Sequence, residues 1–272
     1  MDTGVAGKVV VVSGATANIG RGIALAFAAE GARVVVVGRD EEAGARVVSS
    51  ALERGAADAL WCKADMTDRS AIDAMVAATL ERFAMIDVLV NNVGGNIAVK
   101  PFEFSSPEEW RYDIDLTLMS TLHCTHSVLP HMLERGVGCI VNIGSMSAII
   151  GDRMMAVYSS AKGAVHSFTK ILALEVGARG IRVNAIAPYG TLPEDPENDT
   201  SSGSRFRPST GLFAVALANH PESLAGLVRD TALTRTSAKP SEIGAAAVYL
   251  ASEQAAFVTG QVLQVDGGVE LP

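Results

Sequence analysis

The 272-residue chain contains three cysteines, Cys62, Cys124 and Cys139, far apart in sequence. No Cys-x-x-Cys pair and no Cys/His spacing suited to zinc is present, and an odd number builds no disulfide framework. The expectation is three small buried hydrophobes in a reducing cytoplasm. Basic clusters are scarce too: 22 Lys and Arg stand against 30 Asp and Glu, a formal net charge of -8. That balance argues against a nucleic-acid partner, which calls for a clustered positive face, and serves solubility instead. No apolar run approaches the ~20 residues of a bilayer span. The opening MDTGVAGKVVVVSG has neither the basic stretch nor the long apolar region of a signal peptide. Neither a membrane nor secretion is expected, and no internal repeat is visible.

What the chain does have is apolar content, 49% of its residues, enough for a large core and suited to one compact α/β domain over 1–272. Runs rich in valine and isoleucine predict strands at 8–13, 33–38, 59–64, 86–92, 138–144, 181–187 and 261–266. Helical patterns fall between them, at 19–30, 41–54, 69–83, about 107–135, 157–178 and 241–251. Strands apolar on both faces belong to a parallel sheet covered by helices on both sides. Regular β-α alternation makes this a Rossmann-type doubly wound fold, with ligands at the carboxyl ends of the strands. One segment interrupts the rhythm. TLPEDPENDTSSGSRFRPSTG, 191–211, is rich in Pro, Ser, Asp and Glu and leads into a helical patch at 212–230. Two readings stand: a substrate lid over about 191–230, or plain surface disorder.

The first strand runs into SGATANIG, Ser13 to Gly20. Gly14 lets the chain leave the strand tightly. Gly20 allows close helix packing and leaves backbone N–H groups at the helix N-terminus for a pyrophosphate. Asn18 stands where a glycine with positive φ is expected, and asparagine is the best non-glycine residue for that conformation. The second strand ends VVVVGRDE. Gly38 occupies the place of the acid that binds adenine-ribose hydroxyls, and Arg39 follows it. Both features favour NADP(H) over NAD(H), because a guanidinium offers a phosphate two donors. The other reading keeps Arg39 solvated and brings Asp40 to the ribose.

Further along, GSMSAIIGDRMMAVYSSAK places Tyr158 and Lys162 four apart on a predicted helix, hence on one face. Ser145 ends the strand before them. A tyrosine exchanges a proton with a carbonyl oxygen when a nearby ammonium stabilises its phenolate, and a serine hydroxyl can hydrogen-bond the same oxygen.

With these residues in place, the chain resembles the classical short-chain dehydrogenase/reductases over nearly its full length. SGATANIG, ADMTD with Asp65, NNVGG with Asn91 and Asn92, RVNAIAPYG and the closing TGQVLQVDGG occur in that family's order. The resemblance implies a single sheet of order 3-2-1-4-5-6-7 and hydride transfer between nicotinamide and an alcohol/ketone pair. It makes Tyr158 the acid/base. Lys162 binds the nicotinamide ribose and lowers the Tyr158 pKa, and Ser145 orients the carbonyl. It also assigns Gly14, Thr16, Asn18, Ile19, Gly20, Arg39, Asp65, Met66, Asn91, Val93, Gly94, Pro188 and Thr191 to the cofactor, with Leu192 a further candidate. Relatives are mostly tetramers joined through the helices at 107–135 and 157–178 and the last strand, so a homotetramer is expected.

The chain departs from the family pattern in four places. Ser13 and Asn18 replace two members of the glycine-rich turn. Ala17 stands where many NADP-dependent members carry a basic residue. The family's fourth catalytic residue, an Asn that helps hold a water near the lysine, falls on Thr117, which either keeps that water or packs within the helix. Tyr189 is inserted before Gly190.

Other features read more plainly. His123 and His126 lack nearby acids and suggest no metal. Asp113 and Asp115 read as solvated. Met146, Met154, Met155 and Tyr189, with Ile97, Val99 and Phe102 opposite, suggest a soft apolar pocket. That points to a hydrophobic, cyclic or aromatic alcohol or ketone rather than an anion, with Arg153 either binding a carboxylate or facing solvent. The resulting expectation is an NAD(P)-dependent oxidoreductase of secondary alcohols or ketones. The rivals are a 3-oxoacyl-thioester reductase and, in another class, a non-enzymatic nucleotide-sensing protein of the same fold.

Overall fold

Seven parallel strands make one sheet in the order β3-β2-β1-β4-β5-β6-β7, the order the resemblance implied. The computed structural model describes residues 2–208, 210–212, 214–215 and 229–271. Most of the expected helical patch at 212–230 therefore lies outside the described residues. The strands are β1 (Val9–Val12), β2 (Arg33–Gly38), β3 (Asp58–Lys63), β4 (Val88–Asn91), β5 (Gly138–Ile143), β6 (Ile181–Pro188) and β7 (Val262–Val265). The long helices are α1 (Asn18–Ala29), α2 (Glu41–Glu53), α3 (Arg69–Phe83), α4 (Pro107–Ile114), α5 (Ser120–Arg135), α7 (Ala156–Val176) and α8 (Pro240–Ala251). A short α6 (Ser147–Ile150) follows β5.

Every residue of β1 is buried, because alternate valines serve opposite faces of the sheet. Val10 and Val12 join Val34 and Val36 in one core layer with Ile23 and Phe27 of α1 and Ile243 of α8. Val9 and Val11 join Val35 and Val37 in the other, with Ile72 of α3, Val128 of α5 and Leu172 of α7. The expected strands are one or two residues too long at several ends, where the turns that carry the site begin.

The pattern at 107–135 predicted one helix. The structure interrupts it with a π-helical turn at Asp115–Met119. A single five-residue turn is too short to change the period read over the whole stretch, so the sequence pattern passes over it, and such turns gather at functional sites. Among the described residues no helix is long and apolar enough to cross a membrane.

Helices α1 and α8 cross at two glycines. A Cβ on Gly22 would lie 2.5 Å from the Pro240 backbone, and one on Gly244 would lie 2.7 Å from the Gly22 carbonyl oxygen. This crossing holds the start of α1, and with it the turn after β1, against the sheet. Gly22→Ala is expected to lower the unfolding free energy by about 1–3 kcal/mol through overpacking. Urea denaturation measures it, and an unchanged midpoint would show that the helices separate at no cost.

Candidate active site

The carboxyl ends of β1, β2, β4, β5 and β6 open onto a cavity of about 970 Å³, where a doubly wound sheet holds its ligand. The Ser13–Gly20 turn forms its floor. Asn18 has φ 42°, the left-handed backbone inferred for it. Its Nδ2 donates to the Thr191 carbonyl at 3.1 Å, and its backbone N–H donates to the Asp199 carbonyl at 2.9 Å. The Asp199 carboxylate pairs with Arg21 at 2.8 Å. The turn is thereby tied to the segment that follows β6. A Cβ on Gly20 would lie 2.2 Å from the Gly14 carbonyl oxygen, so only glycine lets the start of α1 approach this closely. The buried Oδ1 of Asn18 has no hydrogen-bond partner among the described residues. A glycine cradle at a helix N-terminus, which a Cβ on Gly20 would fill, fits a dinucleotide pyrophosphate.

At the end of β2 a Cβ on Gly38 would lie 2.6 Å from Thr16 Cγ2. A larger residue there displaces the floor, which explains the missing acid. Arg39 Nη1 stands 3.6 Å from Asp65 Oδ2, and a Cβ on Gly203 would lie 3.1 Å from the other guanidinium nitrogen. Asp40 is fully engaged. Its Oδ1 caps α2 by accepting from Ala43 N at 3.0 Å, and its Oδ2 accepts from Ser202 N at 2.8 Å. The Ala43 and Ser202 hydrogen bonds hold its pKa down at about 2.

At the other end, Ser145 follows β5, while Tyr158 and Lys162 rise from the first turns of α7; all three line the cavity. Lys162 is 3% exposed. Its Nζ donates to the Ile143 carbonyl at 2.5 Å and lies 5.9 Å from the Tyr158 ring centre. Burial, with Arg205 nearby, lowers its pKa to about 7. Ser145 Oγ accepts from Ser147 N at 3.1 Å and from Ser147 Oγ at 2.9 Å, which leaves its own proton to donate. The Ser145 backbone N–H donates to His166 Nε2 at 3.3 Å. His166 is held neutral, its pKa lowered to about 4 by burial and then by Lys162 and Lys170. It fits only because residue 144 is glycine, where a Cβ would lie 2.0 Å from Nε2.

Thr117 is wholly buried in the π-helical turn. Its Oγ1 accepts from Gly95 N and donates to Gly95 O, both at 3.1 Å. The hydroxyl fastens the loop after β4 and stays off the cavity wall.

Of the residues expected at the cofactor, Thr16, Ile19, Met66, Val93, Gly94, Pro188, Thr191 and Leu192 also line this cavity, as do Met155 and Tyr189 on the substrate side. Asn91 does not. It ends β4 and turns inward, donating to Thr125 Oγ1 and Asn142 Oδ1 at 2.9 Å each. Asn92 is the one that faces the cavity, and it donates to the Ser13 and Gly14 carbonyls. Met146 also corrects the expectation: it is wholly buried against Ala187 and Tyr189. Ile97 and Phe102 line a separate small depression, and Val99 lines neither it nor the main cavity. Asp113 is buried rather than solvated and accepts from Ile97 N at 2.8 Å. Arg153 is exposed and off the cavity. Arg205, Ser147 and His166 were missed. His166 and Arg205 act through contacts made only by folding, whereas Ser147 reaches Ser145 across two residues.

Compared with known proteins, residues 8–201 match the family model described as short chain dehydrogenase, and residues 209–270 match one described as Enoyl-(Acyl carrier protein) reductase. The chain is 37% identical over 269 residues to an L-fucose dehydrogenase of Oryctolagus cuniculus, covering 98% of this chain and 86% of that protein. It is 36% identical to a 1,6-dihydroxycyclohexa-2,4-diene-1-carboxylate dehydrogenase of Pseudomonas putida, covering 96% and 92%. Among solved structures, a 7α-hydroxysteroid dehydrogenase complexed with NADH and 7-oxo glycochenodeoxycholic acid superposes with a TM-score of 0.82 at 31% identity, covering 98% of this chain and 97% of that one.

The roles of Asn18 separate by substitution. Asn18→Gly keeps the left-handed backbone and loses only the tie to Thr191. Asn18→Ala loses both and should cost about 1–2 kcal/mol more. Thermal melting of the two variants measures the difference, and equal melting temperatures would deny the backbone role.

Proposed function

This chain belongs to the short-chain dehydrogenase/reductase family, and we propose that it oxidises a secondary alcohol, or reduces the matching ketone, with NADP(H) preferred to NAD(H). The observation that carries the reading is Tyr158, Lys162 and Ser145 meeting at one end of a cavity whose other end is a pyrophosphate turn. When bound, the dinucleotide supplies a two-electron hydride donor or acceptor. The chain supplies the proton chemistry. Tyr158 takes the alcohol proton as the carbonyl forms, or returns it in reduction. The buried Lys162 ammonium favours the phenolate through a poorly screened field, and its burial also places it where ribose hydroxyls would meet it. Ser145 donates to the substrate oxygen, because both hydrogen bonds from Ser147 arrive at its own oxygen. His166 acts as a positioning residue, fixing the Ser145 backbone.

The preference for NADP(H) is supported by the ribose end. Gly38 carries no acid, Asp40 is engaged on both oxygens, and Arg39, whose partner Asp65 stands 3.6 Å away, is the guanidinium that would meet a 2′-phosphate. The segment after β6, tied to the turn through Asn18, acts as the lid. A homotetramer is supported by exposed apolar residues on α7, with Ile171 53% and Leu174 81% exposed. A cytoplasmic location is supported by three buried free thiols. A 3-oxoacyl-thioester reductase is the second reading, favoured by the description of the model matching 209–270. A non-enzymatic sensor loses its support, since Asn18 keeps the glycine backbone and Thr117 has a structural task.

Tyr158→Phe should lower kcat/KM about 10²–10⁴-fold on any alcohol found in a panel run with both cofactors, while fluorescence titration still detects cofactor binding. Substantial retained turnover would sink the mechanism. Arg39→Ala should weaken NADPH binding about tenfold or more and NADH binding far less. A wild-type protein that binds NADH more tightly would overturn the preference.

A further inference from the structure

The catalytic end of the cavity carries a cation that this mechanism does not use. Arg205, on the segment after β6, reaches the loop after β4. Its Nη1 donates to Asn96 Oδ1 at 2.7 Å and its Nη2 to the Gly94 carbonyl at 3.2 Å. Its guanidinium carbon stands 5.8 Å from the Tyr158 ring centre, and the residue lines the cavity. Both acceptors are neutral, and the remaining guanidinium N–H groups are left for a ligand.

Arg21, Arg69, Arg135 and Arg235 each lie 2.6–3.0 Å from a carboxylate, and Arg182, which does not line the cavity, donates from its guanidinium to the Leu250, Val258 and Ser252 carbonyls. Arg205 has no carboxylate within ion-pair distance among the described residues. Two nearby acids form no ion pair with it: Asp113 Oδ1 accepts from Ile97 N and only feels the Arg205 charge at longer range, and Asp152 stands 3.8 Å from Arg229. Lys162 adds a second buried positive charge beside Tyr158. Two part-desolvated cations with no anion of the chain between them call for an anion from outside.

We propose that Arg205 binds a carboxylate of the substrate, which is then a small hydroxy acid or keto acid with its alcohol or carbonyl oxygen at Ser145 and Tyr158. The proposal rests on the alcohol–ketone reading above and narrows it. The reaction is the same: the substrate C–H and O–H bonds break, the hydride leaves to the dinucleotide, the proton goes to the Tyr158 oxygen, and C=O forms. Leu116, Met155 and Phe206 line the same cavity, so the rest of the substrate is apolar. The sequence reading favoured an apolar substrate and left a carboxylate only to Arg153; the anion returns here through Arg205, a residue outside the motifs. A guanidinium on the lid also couples closure to recognition, since the carboxylate would hold Arg205 over the reacting centre.

The test is a set of cyclic and open-chain hydroxy acids, each paired with its methyl ester and the unsubstituted alcohol, assayed with both cofactors. The wild-type protein should favour acid over ester by about tenfold to a hundredfold in kcat/KM. Arg205→Met should erase most of that ratio, chiefly by raising KM for the acid, and Arg205→Lys should recover part of it. A wild-type enzyme that turns over esters and neutral alcohols as well as acids overturns this assignment and leaves the oxidoreductase reading intact. Equal loss on acid and ester in Arg205→Met, or a matching loss of cofactor affinity by fluorescence titration, also overturns it. No turnover of any alcohol with either cofactor overturns both.

Discussion

A lysine ammonium taken out of water is the constraint around which the catalytic end is organised. Lys162 is 3% exposed, and burial of that charge is costly unless polar groups replace the lost hydration. The structure offers the Ile143 carbonyl at the end of β5 and the Tyr158 ring one helical turn earlier. The neighbouring backbone is fastened to keep this arrangement. Thr117 bonds Gly95 twice from the π-helical turn, and His166 holds the backbone of Ser145. The remaining penalty appears as the lowered Lys162 pKa, caused by burial and then by Arg205.

The two ends of the cavity are linked by the segment after β6. It meets the phosphate turn through Thr191 and Asp199, the ribose end through Ser202 and the catalytic end through Arg205. These bonds are polar, and residues 191–211 are poor in apolar side chains, so that stretch is held by a few specific contacts rather than by core burial.

Much of this was legible because it repeats. The valine runs and the glycine turn follow from periodicity and backbone sterics, and the spacing of Tyr158 and Lys162 from helix geometry. The misreadings have physical causes as well. Asn91 and Asn92 differ by one step at a strand end, where one residue turns a side chain from the cavity to the interior; the partner that captured Asn91, Asn142, is 51 residues away. Met146 sits in the turn after β5, where local sequence does not say which of the neighbouring residues points inward. The π-helical turn is hidden because its five residues are too few to alter the period of the long stretch around it.

The sequence by itself determined the parallel sheet, the position of the glycine-rich turn after β1, the left-handed backbone of Asn18 and the grouping of Ser145, Tyr158 and Lys162 at one end of the cavity. Each depends on local sterics or on spacing along one element. Tertiary structure alone decided which asparagine faces the cavity, that both oxygens of Asp40 are engaged while Arg39 pairs with Asp65, that His166 sits behind Ser145, and that Arg205 stands over Tyr158. These are contacts between elements distant in the chain, and no local pattern encodes them.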